Sequence, residues 1–226
     1  MAEAQEKLSV AERLIEFIQK NRRVLLAGFI VIAVGLVGSI VGLTVRERVV
    51  ANAFMRLDEF QQRHIALMPY IGAEELLRQD EVNALLEELN AFAARNSASV
   101  AARAFNMIAS IYWAQERWSE AERAWIAVAD AMPRPHLSPI SLSNAAVAAE
   151  YDGDFESAIA LHTRVVQEHE HVLFVAVRSQ FSIGRLHEAR GDIEAALAAY
   201  RSLLSRWPHD PRYANFAQSR IIVLSD

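Results

Sequence analysis

The chain has 226 residues, 53% of them hydrophobic, with a formal net charge of −5 and no cysteine. The absence of cysteine excludes a disulfide framework, a thiolate nucleophile, Cys-ligated zinc and a lipid-modified cysteine anchor. Residues 1–23 carry five Lys+Arg and four Asp+Glu, which leaves 18 basic against 24 acidic side chains in the remainder. That acidic remainder has no basic stripe interleaved with aromatics, so the electrostatic footprint of nucleic-acid binding is missing. With only 8 glycines and 6 prolines among many Ala, Leu, Glu and Arg, the composition is that of an all-α protein.

The first 23 residues form a tail in which Ser9 and Glu12 have capping-box spacing and Leu14, Ile15 and Ile18 share one face. Residues 10–20 therefore read either as a short amphipathic helix on a membrane or as a helical extension of the apolar run after them. Residues 24–45, VLLAGFIVIAVGLVGSIVGLTV, are an uncharged run of 22. A run of that length crosses a hydrocarbon core of roughly 30 Å as a helix, and it exceeds the roughly 7–15 apolar residues of a cleavable signal. The cluster KNRR directly before it, with a short tail that needs no translocation, predicts a cytoplasmic N-terminus and a domain on the far side, periplasmic in a bacterium. Gly38 and Gly42 have the GxxxG spacing through which two such helices pair. Residues 46–68 keep a helical period through Val50, Phe54, Leu57 and Phe60 with no breaker before Pro69, and read as a stalk.

From residue 69 to 226 the chain shows self-similarity at a spacing of 37 to 38 residues, the mark of stacked helix pairs that cannot bury their apolar faces alone. The clearest unit is 177–210, with Ile183 and Gly184 at a close helix crossing, Gly191 at the turn, Ala196 and Tyr200 in the second helix and Pro208 at the exit. Residues 102–135 fit the same frame through Phe105, Ile108, Ala109, Tyr112, Ala121, Trp125, Val128 and Pro133, with ERW where a glycine turn is expected. Residues 139–172 fit through Leu142, Ala145, Ala146, Ala149, Gly153, Ala158, His162 and Val165. A further step back places Gly72, Ala84 and Ala91 at repeat-like positions of a degenerate fourth unit. These frames resemble the tetratricopeptide repeat, so the predicted fold is a transmembrane helix followed by a tetratricopeptide-like α-solenoid.

The arrangement as a whole resembles the YfgM family of ancillary subunits of the bacterial Sec translocon. The likeness lies in AERLIEFIQKNRRVLLAGFIVIAVG as tail and anchor, ANAFMRLDEFQQ as stalk, and LNAFAARNSASVAARAFNMIASIYWAQERWSEAERAW as the first strong repeat. It implies an inner-membrane protein whose periplasmic domain meets translocon subunits, chaperones or newly translocated clients. A scaffold for another envelope complex, in secretion, division or pilus assembly, is the alternative within the same class.

In a curved array the first helix of each pair lines the concave face. The frames place Arg103, Asn106, Ser110 and Trp113 there, then Ser143, Val147 and Glu150, then Arg178, Phe181, Arg185 and Glu188. The aromatics are suited to a partner's apolar side chains and the arginines to its carboxylates; the plain alternative is that each packs on a neighbouring helix or meets water. Lysine is absent after Lys20, which removes the lysine clamp that some repeat proteins use on a terminal carboxylate. The EHEH cluster at 168–171 reads as solvated loop charge rather than a metal site, and His187-Glu188 lacks the second histidine of a zinc-protease motif. No nucleophile elbow or phosphate loop is present, and Glu87-Glu88 reads as exposed helix charge. A non-enzymatic interaction module without cofactor or metal is expected, with a regulatory subunit or a hydrolase acting through the EHEH region as the contrasting class.

Overall fold

The structure, a computed structural model, describes residues 10–71, 78–132 and 137–225. The chain divides into two compact units, Met1–Asn52 and Ala53–Asp226. Among the described residues the regular elements are all helical.

The described part of the first unit lies within α1, Val10–Leu67. The helix starts at Val10 and runs unbroken through the apolar run, so residues 10–23 are its extension; Ser9 of the expected capping box lies outside the described residues. The large apolar side chains from Val24 to Val45 are uncovered, from 42% exposure at Leu25 to 72% at Val24. The few polar groups there turn inward. Ser39 and Thr44 donate to the carbonyls of Gly35 and Ile40 at 2.8 and 2.9 Å, which leaves no hydroxyl proton to be desolvated in an apolar surrounding. By length and composition this helix is apolar enough to cross a membrane.

The second unit begins inside the expected stalk. Leu57, Phe60 and Leu67 on the last turns of α1 are each 3% exposed or less and join the hydrophobic core. The boundary expected at residue 69 thus falls within a packed unit that opens at Ala53. A 3-10 turn at Met68–Tyr70, with Pro69 inside it, ends α1. Then follow α2 (Gln79–Ala93), α3 (Ala98–Ala114), α4 (Trp118–Ala131), α5 (Ser138–Tyr151), α6 (Phe155–Glu168), α7 (Leu173–Ala189), α8 (Ile193–Arg206) and α9 (Tyr213–Ser225).

The pairs α3/α4, α5/α6 and α7/α8 run over 98–131, 138–168 and 173–206, each beginning one to four residues before the expected frame. Ala121, Ala158 and Ala196 hold the same place in each second helix and have no exposed surface. At the crossing inside the third pair, a Cβ on Gly184 would sit 2.5 Å from the ring of Tyr200. The missing side chain is what lets the ring lie there.

The inter-helix turns repeat atom by atom. Gly153 and Gly191 adopt φ of 83° and 79°, and each donates to the carbonyl three residues back, at Glu150 and Glu188. The next residue, Asp154 or Asp192, donates five residues back, to Ala149 or His187. This is the glycine-closed helix end, followed by an aspartate that caps the next helix: the side chains of Asp154 and Asp192 accept from the amides of Ser157 and Ala195. The first turn makes the same backbone bonds with Glu116 at φ 57° and with Arg117 in place of the aspartate.

The degenerate fourth unit is corrected in its register. Gly72 lies outside the described residues, and Ala84 and Ala91 are exposed. The buried stripe of α2 is instead Val82, Leu85, Leu86, Leu89 and Ala93. α2 packs on α3 and also meets the end of α1, where Phe60 and Phe92 lie edge-on at 5.2 Å. Bulky side chains rather than alanines fill this crossing, so the small-residue frame does not carry back.

Candidate interaction face

The residues expected to face a partner divide into three groups. Arg185 on α7 reaches back to Glu150 on α5, its two terminal guanidinium nitrogens each 2.5 Å from a carboxylate oxygen. The pairing holds the Glu150 carboxyl below its usual range and raises Arg185. Glu188 on α7 pairs with Arg220 on α9 and accepts from the Tyr200 hydroxyl at 3.1 Å. Burial, then that bond to a carboxylate, pushes the phenol up to about 12. These four charges tie successive first helices together.

A second group is taken up by aromatic packing. Trp113 is half-buried and meets Trp118, Trp125 and Tyr151 at centroid distances of 4.8, 5.5 and 5.2 Å. Phe181 lies 5.4 Å from Tyr200 and 5.5 Å from Tyr213, with Phe216, 53% exposed, beyond it. Ser143, expected on the surface, is buried at 5% exposure, and Val147 is half-buried. One helical turn on, α5 packs on both sides, so the frame's outward position is covered there.

The third group stays open. Arg103, Asn106 and Ser110 on α3 line a cavity of about 480 Å³ against Gln61 and His64 on the last turns of α1. Leu57, Ile65, Met107 and Leu137 complete it with apolar surface. Arg103 lies over the ring of Phe54 at 5.3 Å, and no carboxylate bonds to it among the described residues. Ser110 donates its one proton to the Met107 carbonyl at 2.8 Å. The 3.1 Å contact with His64 therefore has the imidazole Nε2–H donating to the serine oxygen. A serine nucleophile needs the reverse arrangement, with the hydroxyl donating to the imidazole. Burial lowers the pKa of His64 and keeps it neutral at pH 7. Arg178 is exposed on α7.

The EHEH segment is corrected in part. His169 is 3% exposed and meets the buried Ser138 hydroxyl at 3.0 Å, joining the end of α6 to the start of α5. Only its neighbours Glu168, Glu170 and His171 face solvent. Glu88 likewise is not merely exposed charge, since Arg63 grips it with two bonds of 2.9 and 3.0 Å. Both depend on residues more than twenty positions away, which local pattern does not reveal.

Comparison with known proteins agrees with this geometry. A family model described as tetratricopeptide repeat matches residues 144–211, from within α5 to just past α8. A TPR repeat-containing protein of Treponema pallidum (strain Nichols) is 33% identical over 118 residues, 52% of this chain and 48% of that relative. The chain thus spans about half the length of the curated relative it matches. Two crystal structures of nearly identical TPR-like repeats from a kinesin light chain candidate of Podosopora anserina, one of them a point variant, each align with a TM-score of 0.51 at 16% identity. They cover 74% of this chain and 85% or 86% of theirs. The second unit is a tetratricopeptide-like solenoid, the class of fold that presents stacked helix pairs to other proteins.

Proposed function

We propose that the protein is a membrane-tethered, non-enzymatic interaction module: α1 crosses the membrane through residues 24–45, and the repeat unit holds polypeptide partners. The observation that carries this reading is the coexistence, in one chain, of an uncovered apolar run of 22 residues and a tetratricopeptide-like array. Bilayer is the surrounding in which such a run ceases to be an exposed apolar patch. The N-terminus faces the cytoplasm and the array the periplasm, on the strength of KNRR before the span. The likeness of tail, anchor and first repeat to the YfgM family supports an ancillary place at the Sec translocon, handing translocated chains to periplasmic chaperones. Gly38 and Gly42 are the expected contact if two anchors pair.

The test is gentle detergent extraction of the tagged full-length chain, with residues 1–52 alone as control, followed by mass spectrometry of what copurifies. Enrichment of translocon subunits or periplasmic chaperones is the expected result. Enrichment of a different envelope complex keeps the interaction module and removes the translocon role.

A further inference from the structure

We propose that the cavity between α3 and the Ala53–Leu67 stretch of α1 binds an acidic stretch of a partner polypeptide, an internal Asp or Glu side chain pairing with Arg103. The inference deepens the interaction-module reading and rests on it. The cavity lies outside the residues that the repeat family model matches, 144–211.

Charge complementarity singles out the occupant. Arg63, Arg164, Arg185 and Arg220 each bond to a carboxylate of this chain. Arg103 has none among the described residues, and the lining offers no acid. The ring of Phe54 orients its guanidinium without neutralising it. In a chain of net charge −5, such a cation at the wall of a cavity is a local exception to the field that an acidic ligand otherwise meets. Arg103 is exposed at the edge of the cavity, open to an incoming carboxylate, and a two-pronged guanidinium–carboxylate pair is the stronger kind of charged contact.

The remaining lining fits a peptide. Asn106, exposed one turn from Arg103, offers amide donor and acceptor to a backbone. Leu57, Ile65 and Leu137 supply apolar walls for an aliphatic side chain next to the acid. A volume of about 480 Å³ lies within the roughly 300–1,000 Å³ of ordinary ligand sites.

The test uses the full-length protein in detergent micelles and a fluorescent, end-blocked peptide of alternating Leu and Glu, followed by anisotropy. The expected result is saturable binding that weakens about tenfold or more when Gln replaces Glu in the peptide, and equally with Arg103→Gln. Arg103→Lys retains part of the affinity, and Asn106→Asp, which sets a carboxylate beside the arginine, loses it. If Arg103→Gln lowers the melting midpoint, Asn106→Asp carries the test, since it leaves the Arg103–Phe54 contact in place. Equal affinity for the Gln peptide, or an unchanged affinity in both variants, overturns the proposal. Competition by free glutamate at the peptide's own concentration also overturns it, reassigning the cavity to small carboxylates. Copurified partners together with no peptide binding would remove the cavity assignment alone; peptide binding without a translocon partner would leave it standing.

Discussion

Trp125, His162 and Tyr200 stand at one place in their three repeats, and of these only the histidine changes charge in the acidic range. His162 is buried at 1% exposure, with Nδ1 3.2 Å from the Ser179 hydroxyl. Burial and the cations Arg185 and Arg178 lower its pKa to about 4, against the pull of Glu150. The unfolded chain takes up this proton near pH 6.5, the folded chain only near pH 4. Stability from this site is thus full above about pH 6.5 and drains away as pH falls toward 4, by up to about 3 kcal/mol. The melting midpoint of the wild type is expected to fall further between about pH 7 and pH 4.5 than that of His162→Tyr; parallel curves would show that the histidine is not coupled to folding. Two backbone positions give opposite signs. Gly184→Ala drives a methyl into the Tyr200 ring and is expected to cost about 1–3 kcal/mol in denaturant melts. Glu116→Gly removes a side chain from a left-handed turn and is expected to gain about 0.5–1 kcal/mol, read the same way.

At the level of the helices, the turns and crossings were legible in sequence because they rest on one or two residues with special needs. Gly153 and Gly191 announced two turns by the conformation that glycine tolerates, and Ala121, Ala158 and Ala196 announced the crossings by size. Glu116 gave no signal, since the first turn keeps its shape through backbone bonds alone. In sequence the end of α1 looks like a stalk because a helix with a regular apolar face has the same period whether that face is covered or free. The open site was legible only by half: the frames found Arg103, Asn106 and Ser110, but not that α1 closes a cavity over them. Ion pairs such as Glu150–Arg185 join residues 35 apart, beyond any local pattern. Because Leu57, Phe60 and Leu67 are core residues, a chain beginning at residue 53 is expected to melt well above one beginning at 69. Three large apolar side chains amount to several kcal/mol, at roughly 1.5–3 kcal/mol each; equal midpoints in calorimetry would return residues 53–67 to the role of stalk.

For the molecule as a whole, topology is the property that decides which partners it can meet. Protease added to intact spheroplasts is expected to remove the repeat unit and leave the N-terminal tail; protection of the repeats would place them in the cytoplasm, out of reach of periplasmic chaperones. The charged links between first helices bear on how such an array can change over time. Glu150 answers to Arg185, and Glu188, one repeat on, to Arg220, so the second and third pairs each offer a glutamate to the helix that follows. Exchanging the second and third pairs would strand an arginine on one side and a glutamate on the other. Duplicating the third pair alone would instead set a second Arg185 opposite Glu188 and rebuild the existing joint, so the array can lengthen at that pair although its second and third pairs cannot trade places.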